Sequence, residues 1–233
     1  MRLGITRTAS QLGELSRQAD ARDIQVVPLP LVTAEPIAFD WPASLDKSGP
    51  DWLFFSSSKA VVTFFQRIRS SGRSIPSSTQ IGAIGGQTAQ ALKRFDCNPD
   101  FVPTEAYGEK LFEEYAAKHA GPGQSLIYAR ATLVHYDPAA LMASLQIRYY
   151  PIICYDLKEQ PVDSSLVESF VSSDAILFTS PSSVMSFNGR FGPPRAIPLA
   201  IGKTTANTMQ QHGWTEYHTM KRPIVADVLE YLP

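Results

Sequence analysis

Short apolar runs alternate with stretches of helical periodicity along this chain. Leu3–Ile5, Ile24–Val27, Trp52–Phe55, Ile81–Ile84, Ser125–Tyr128, Ile147–Tyr150, Ala175–Phe178 and Ile197–Ile201 read as strands. Several are apolar at nearly every position, the pattern of a strand covered on both faces rather than one. Between them, Val61, Phe64, Phe65 and Ile68 fall at i, i+3, i+4 and i+7. Thr88, Ala91, Leu92 and Phe95 repeat that spacing, and Leu111, Phe112 and Tyr115 mark a further apolar helix face. Strands alternating with helices predict an α/β protein with parallel sheets flanked by helices.

The pattern occurs twice. WLFFSSSKAVVTFF (52–65) matches AILFTSPSSVMSFN (175–188), setting Phe55 on Phe178, Ser57 on Ser180, Val61 on Val184 and Phe64 on Phe187 at an offset of 178 − 55 = 123. The same offset sets Arg7 on Arg130 and Val27-Pro28 on Tyr150-Pro151. AIGGQTAQAL (83–92) matches AIGKTTANTM (200–209) at 202 − 85 = 117, so the second copy is shorter by 123 − 117 = 6 residues in one loop. Four collinear blocks with one gap describe two homologous halves, with a ligand cleft expected where the copies face each other. LPLVTAEP (29–36) and IICYDLKEQP (152–161) hold equivalent places. They read as ordinary strands with loops, or as paired hinge strands crossing between domains.

Composition narrows the function. The chain has 233 residues, 44% of them hydrophobic, and a net charge of −1. That balance offers no global basic field for nucleic acid or an anionic membrane, so a bound anion must be held by local groups. No window approaches the roughly 18 apolar residues of a membrane span, and MRLGITRTAS does not read as a signal peptide. Cys97 and Cys154 form no CxxC motif, which fits a reducing, cytoplasmic setting. Cys154, in an apolar run, reads as core. His119, His135, His212 and His218 show no metal-ligand spacing beyond one loose pair, so no metal is expected.

The candidate chemistry sits where strands hand over to helices. Ser56-Ser57-Ser58 follows Phe55, and Thr179-Ser180-Pro181-Ser182-Ser183 follows Phe178. Gly85-Gly86-Gln87-Thr88 follows Ile84, and Gly202-Lys203-Thr204-Thr205 follows Ile201. Helix-start N–H groups lack intrahelical partners and the helix dipole favours negative charge there, while glycine lets a ligand approach the backbone. One such junction is explained by N-capping alone. Four in two equivalent pairs suggest an anion-binding site.

Other motifs fail on inspection. A P-loop ending at Gly202-Lys203-Thr204 needs glycine where Ile197 stands. Gly82 and Gly85 do not complete GxGxxG, and no GxSxG elbow surrounds Ser56–Ser58. Tyr155 stands out because its counterpart is Val32 (155 − 32 = 123), so the repeat is polar there on one side only. A phenol at that place can donate a proton or a hydrogen bond, or serve as an amphipathic tyrosine at a domain edge. Arg7 and Arg130 end the first strand of each half, as ligands for carboxylates or as surface residues.

Taken together, these residues resemble the uroporphyrinogen-III synthase family. The likeness rests on Thr6-Arg7 after the opening strand and on Phe178-Thr179-Ser180-Pro181-Ser182-Ser183-Val184. It rests also on the G-x-x-T-A blocks Gly85–Ala89 and Gly202–Ala206, and on Tyr155 in the return strand. It covers essentially the whole chain, with Phe55-Ser56-Ser57-Ser58 and Tyr107-Gly108 as departures. The resemblance implies two flavodoxin-like parallel-sheet domains with swapped first strands. One would combine 1–33 with 158–233 and the other would span 37–153, with 34–36 and 154–157 as a two-stranded hinge. It further implies cyclisation of hydroxymethylbilane to uroporphyrinogen III by a cofactor-free monomer, with Tyr155 assisting hydroxyl departure. Arg7, Ser57, Ser58, Gly85, Gly86, Gln87, Thr88, Arg130, Thr179, Ser180, Pro181, Ser182, Gly202, Lys203, Thr204 and Thr205 would hold the substrate. A non-catalytic module binding a tetrapyrrole or another polyanion, and a flavodoxin-like protein binding a phosphorylated ligand, are the alternatives.

Overall fold

A computed structural model describes residues 1–134 and 136–232, so His135 lies outside the described residues. In chain order the elements are β1 (Arg2–Ile5), α1 (Gly13–Asp20), β2 (Gln25–Pro28), β3 (Val32–Pro36), β4 (Trp52–Phe55), α2 (Ser58–Ser70), β5 (Gln80–Ala83), α3 (Gly86–Leu92) and α4 (Gly108–Lys118). The second half supplies β6 (Ser125–Ala131), α5 (Ala139–Ser144), β7 (Arg148–Glu159), α6 (Ser164–Val171), β8 (Ala175–Phe178), α7 (Pro181–Phe191), β9 (Ile197–Ala200), α8 (Lys203–Gln211) and β10 (His218–Thr219).

The chain divides into two compact units, Met1–Thr33 with Lys158–Pro233, and Ala34–Leu157. The first unit holds a five-stranded sheet in the order β10-β9-β8-β1-β2, the second a five-stranded sheet in the order β3-β7-β6-β4-β5. The α/β class with two five-stranded sheets, parallel through β10-β9-β8-β1-β2 and β7-β6-β4-β5 with β3 antiparallel at the edge of β7, is therefore as expected, and so is the exchange of first strands. β1 and β2 pair beside β8, while β6 and β7 pair beside β4.

The pairing registers carry the repeat into three dimensions. Leu3 faces Ala175 in the first unit and Leu126 faces Trp52 in the second, the same pair displaced by 123. Arg2 opposite Gln25 becomes Ser125 opposite Arg148 by the same shift. Trp52 opposite Gln80 becomes Ala175 opposite Ile197, with the second partner shifted by 197 − 80 = 117. Even the short β10 has a counterpart. His218 opposite Leu199 matches the isolated bridge between Phe101 and Gly82.

Continuous apolar strands follow from alternation of side chains to opposite faces. Leu53 and Phe55 enter one core of the second unit, packed with Val61, Phe64 and Ile68 of α2. Trp52 and Phe54 enter the other, with Leu111, Phe112 and Tyr115 of α4. In the first unit Ala175 and Leu177 join one core and Ile176 and Phe178 the other.

Three expectations shift. Phe95 lies beyond α3, which ends at Leu92, in a 3-10 turn over Lys93–Phe95. β6 continues past Tyr128 to Ala131 through an irregularity between Arg130 and Ala131, so Arg130 sits within the strand, whereas Arg7 lies two residues beyond β1. β7 runs from Arg148 to Glu159, uniting the strand expected at 147–150 with the extended stretch after it. β3 borders β7 in the sheet order, and the amides of Ile37 and Gln160 donate to the carbonyls of Cys154 and Leu31, bonds that the repeat maps onto each other.

Candidate functional site

Each of the four junctions caps a helix. Ser57 is extended, at φ −168° and ψ 162°, and its side chain accepts the Ala60 N–H that starts α2. Ser180 repeats this at φ −165° and ψ 159°, accepting from Ser183 at the start of α7, with Pro181 at the first helical position. Gly85 and Gly202 cap α3 and α8 with backbones near full extension. That conformation is open to any residue, so neither glycine is required by backbone strain. A side chain at Gly85 would meet the Cβ of Ala106 at 2.7 Å, whereas nothing lies within 4 Å of the position a Cβ would take at Gly202.

Thr88 and Thr205 occupy the third position of α3 and α8. Both residues are buried. Gly86, Gln87, Lys203 and Thr204 are exposed at the same helix starts, and Ser58 is half-buried on α2. In the first unit, Thr179 is taken up structurally. Its amide donates to Thr6 Oγ1 at 2.9 Å and its own hydroxyl to the Thr6 carbonyl at 3.1 Å, tying β8 to β1. Ser182 Oγ lies 2.9 Å from Ser180 Oγ. Arg7 is half-buried, has no hydrogen bond or ion pair from its side chain among the described residues, and has its pKa lowered by that burial.

The second unit gathers more chemistry. The Tyr155 hydroxyl lies 2.9 Å from Ser57 Oγ. Its carbonyl accepts from the Thr132 amide at 3.0 Å, which fixes the backbone that carries the ring. Only 6% of Tyr155 is exposed; burial raises its pKa, and the hydrogen bond with Ser57 opposes that rise. Arg130 reaches Asp137 at 3.5 Å and the carbonyl of Thr132 at 3.3 Å, while its buried Nε has no partner among the described residues. Asp137 also accepts from the Tyr149 hydroxyl at 3.5 Å. Burial raises the pKa of Tyr149 and of Tyr128, so both phenols stay protonated.

Of the residues singled out in the sequence, the fold brings Tyr155 of β7 against Ser57 at the start of α2, with Arg130 near the end of neighbouring β6. Sequence reasoning missed Asp137, Tyr128 and Tyr149. The two tyrosines are hidden in strand patterns, and Asp137 has no counterpart in the repeat blocks to mark it. Cys154 is core as expected, its thiol pushed up to about 12 by burial. No helix among the described residues is long and apolar enough to cross a membrane.

A family model described as uroporphyrinogen-III synthase HemD matches residues 13–230. The porphyrin biosynthesis protein HemD of Ruminiclostridium josui is 22% identical over 169 residues, 69% of this chain and 33% of that protein. The chain thus spans about a third of that relative's length. A mutant uroporphyrinogen III synthase from the extremely thermophilic bacterium Thermus thermophilus has a similar structure, with a TM-score of 0.69 at 15% identity, covering 99% of this chain and 96% of that one. The uroporphyrinogen-III synthetase of Helicobacter pylori gives 0.64 at 18%, covering 99% and 98%. At these identities the structural likeness is one of fold.

Proposed function

The chain belongs to the uroporphyrinogen-III synthase family, and from that premise we infer that it converts hydroxymethylbilane into uroporphyrinogen III, losing water and inverting the last ring. What carries this reading is the set of donors without internal partners near the strand ends of both units. They are Arg130 Nε, the half-buried Arg7 side chain and the exposed Lys203, none of which has a partner among the described residues, beside the helix starts that carry Thr88 and Thr205. A substrate bordered by carboxylates needs many such donors, and a chain of net charge −1 must supply them locally.

In this mechanism the hydroxymethyl C–O bond breaks with its electron pair going to oxygen. That oxygen takes the phenolic proton of Tyr155 and leaves as water. The pyrrole nitrogen stabilises the resulting azafulvene cation, and the substituted carbon of the last ring attacks to give a spiro intermediate. The bond from that carbon to its original bridging methylene then breaks, leaving a second azafulvene, and the free α-carbon of the same ring attacks this methylene to close the macrocycle with the ring inverted. The proton released when aromaticity is restored can return to the Tyr155 oxygen. Unaided closure gives the uninverted isomer, so the protein's main contribution is to hold a flexible chain in the inverting geometry. In this proposal the polar strand ends of each unit supply donors to the carboxylates of the substrate.

The test supplies freshly made hydroxymethylbilane and separates the oxidised products by chromatography. Type III isomer above the spontaneous background supports the reaction. Tight binding with only spontaneous type I product sinks it and leaves a non-catalytic tetrapyrrole-binding module.

A further inference from the structure

We propose that Ser57 is the positioning residue for Tyr155, joining the start of α2 to the phenol through one hydroxyl. This rests on the reaction above for its function and on the molecule's own repeat for its logic. A serine hydroxyl has one hydrogen to give and two lone pairs to accept with. Ser57 Oγ accepts the Ala60 N–H at 3.0 Å and lies 2.9 Å from the Tyr155 hydroxyl. With one lone pair engaged by the helix, Ser57 can donate its own hydrogen to the tyrosine oxygen. The phenolic hydrogen is then free to go to a departing group. As the phenol gives up that proton, the negative charge forms on an oxygen that already accepts from Ser57. Ser57 in turn accepts from the positive end of the helix dipole.

The other half of the chain supplies an internal control. Ser180 caps α7 with nearly the same backbone angles and the same acceptance from the third helical amide. The position equivalent to Tyr155 there is Val32, and the Ser180 hydroxyl turns to Ser182. The cap therefore forms without a tyrosine, so capping does not account for the Ser57–Tyr155 contact.

The experiment is a double-mutant cycle on the full chain, read as kcat and KM for type III product. Ser57→Ala should lower kcat on the order of 10-fold with KM changed less than about threefold, because the lost interaction acts on the departing group. In a Tyr155→Phe background the same change should cost less than about twofold, because its target is gone. Ser57→Thr, which keeps the hydroxyl, should restore most of the rate. Ser180→Ala is the matched cap loss. It should lower the melting temperature about as much as Ser57→Ala, and its kinetic effect should multiply with that of Tyr155→Phe. Equal losses from Ser57→Ala in both backgrounds, or no loss in a folded protein, overturn the proposal.

A wild-type protein that yields no excess type III isomer overturns the reaction instead. The pair is then decided by NMR titration of Tyr155 labelled at the phenol carbon, without substrate. Its pKa should rise in Ser57→Ala, where the donor is missing. An unchanged or lower value shows that Ser57 does not donate to it and overturns the proposal.

Discussion

At the scale of single residues, one buried phenol and one buried thiol lie next to each other in sequence with opposite prospects. Tyr155 has a polar partner for its hydroxyl, while Cys154 packs in an apolar core. Tyr155→Phe should lower kcat by about 10–100-fold and leave KM nearly unchanged, since the hydroxyl acts in the transition state rather than on bound substrate. An unchanged kcat in a folded variant would reduce Tyr155 to packing. The acid must be protonated to work, and burial raises its pKa above the ordinary tyrosine value of 10.0. Activity governed by this group should therefore persist through neutral and mildly alkaline pH and fall only above that value. The fall should vanish in Tyr155→Phe, and a limb centred below 10.0 that survives the substitution would belong to another group. Cys154, pushed up to about 12, stays a thiol at any ordinary pH. A thiol reagent at mildly alkaline pH should modify at most Cys97 in the native protein and both cysteines after unfolding. Native labelling of Cys154 would contradict the packing of this core.

At the scale of elements, equivalent positions have acquired different jobs. Gly85 and Gly202 match in sequence and in backbone, but only Gly85 faces a neighbour, Ala106. Gly85→Val should lower the melting temperature by several degrees, through overpacking that costs about 1–3 kcal/mol. Gly202→Val should melt near the wild type and still bind hydroxymethylbilane poorly, if the helix start receives carboxylates. The same assay on Lys203→Ala should show the smaller loss, because other donors remain. Titration by fluorescence together with thermal melting separates the two effects, and a Gly202→Val protein that binds normally would remove α8 from the site. Such differences were not legible in the chain. Periodicity located α2, α3 and α4 through their buried residues, and the capping serines were visible at their junctions because small hydroxyl residues follow apolar strands. What a Cβ at residue 85 would touch depends on Ala106, which no local pattern connects to it. The contacts of Asp137 with Arg130 and with Tyr149 are equally unmarked by any local pattern.

At the scale of the whole molecule, the sequence repeat proved more informative than any single motif. An offset of 123 with one shortening to 117 reappears, pair by pair, in the registers of both sheets. The strand exchange itself was legible only through the resemblance, because a repeat states that two halves are alike without stating which partners they choose. Neither half can complete its own sheet: residues before Gly123 supply β1 and β2 to one and β4 and β5 to the other. The two halves expressed as separate chains, divided in the Gly121-Pro122-Gly123 loop, should each remain unfolded alone and regain far-UV and near-UV circular dichroism when mixed. Independent folding of either half would contradict the interleaving. The matching registers also describe an ancestry. A single chain of half this length, pairing with a copy of itself and trading its leading strands, would close both sheets by symmetry. Gene fusion would then have made one molecule of that dimer, after which a tyrosine on one side and a valine on the other became free to diverge.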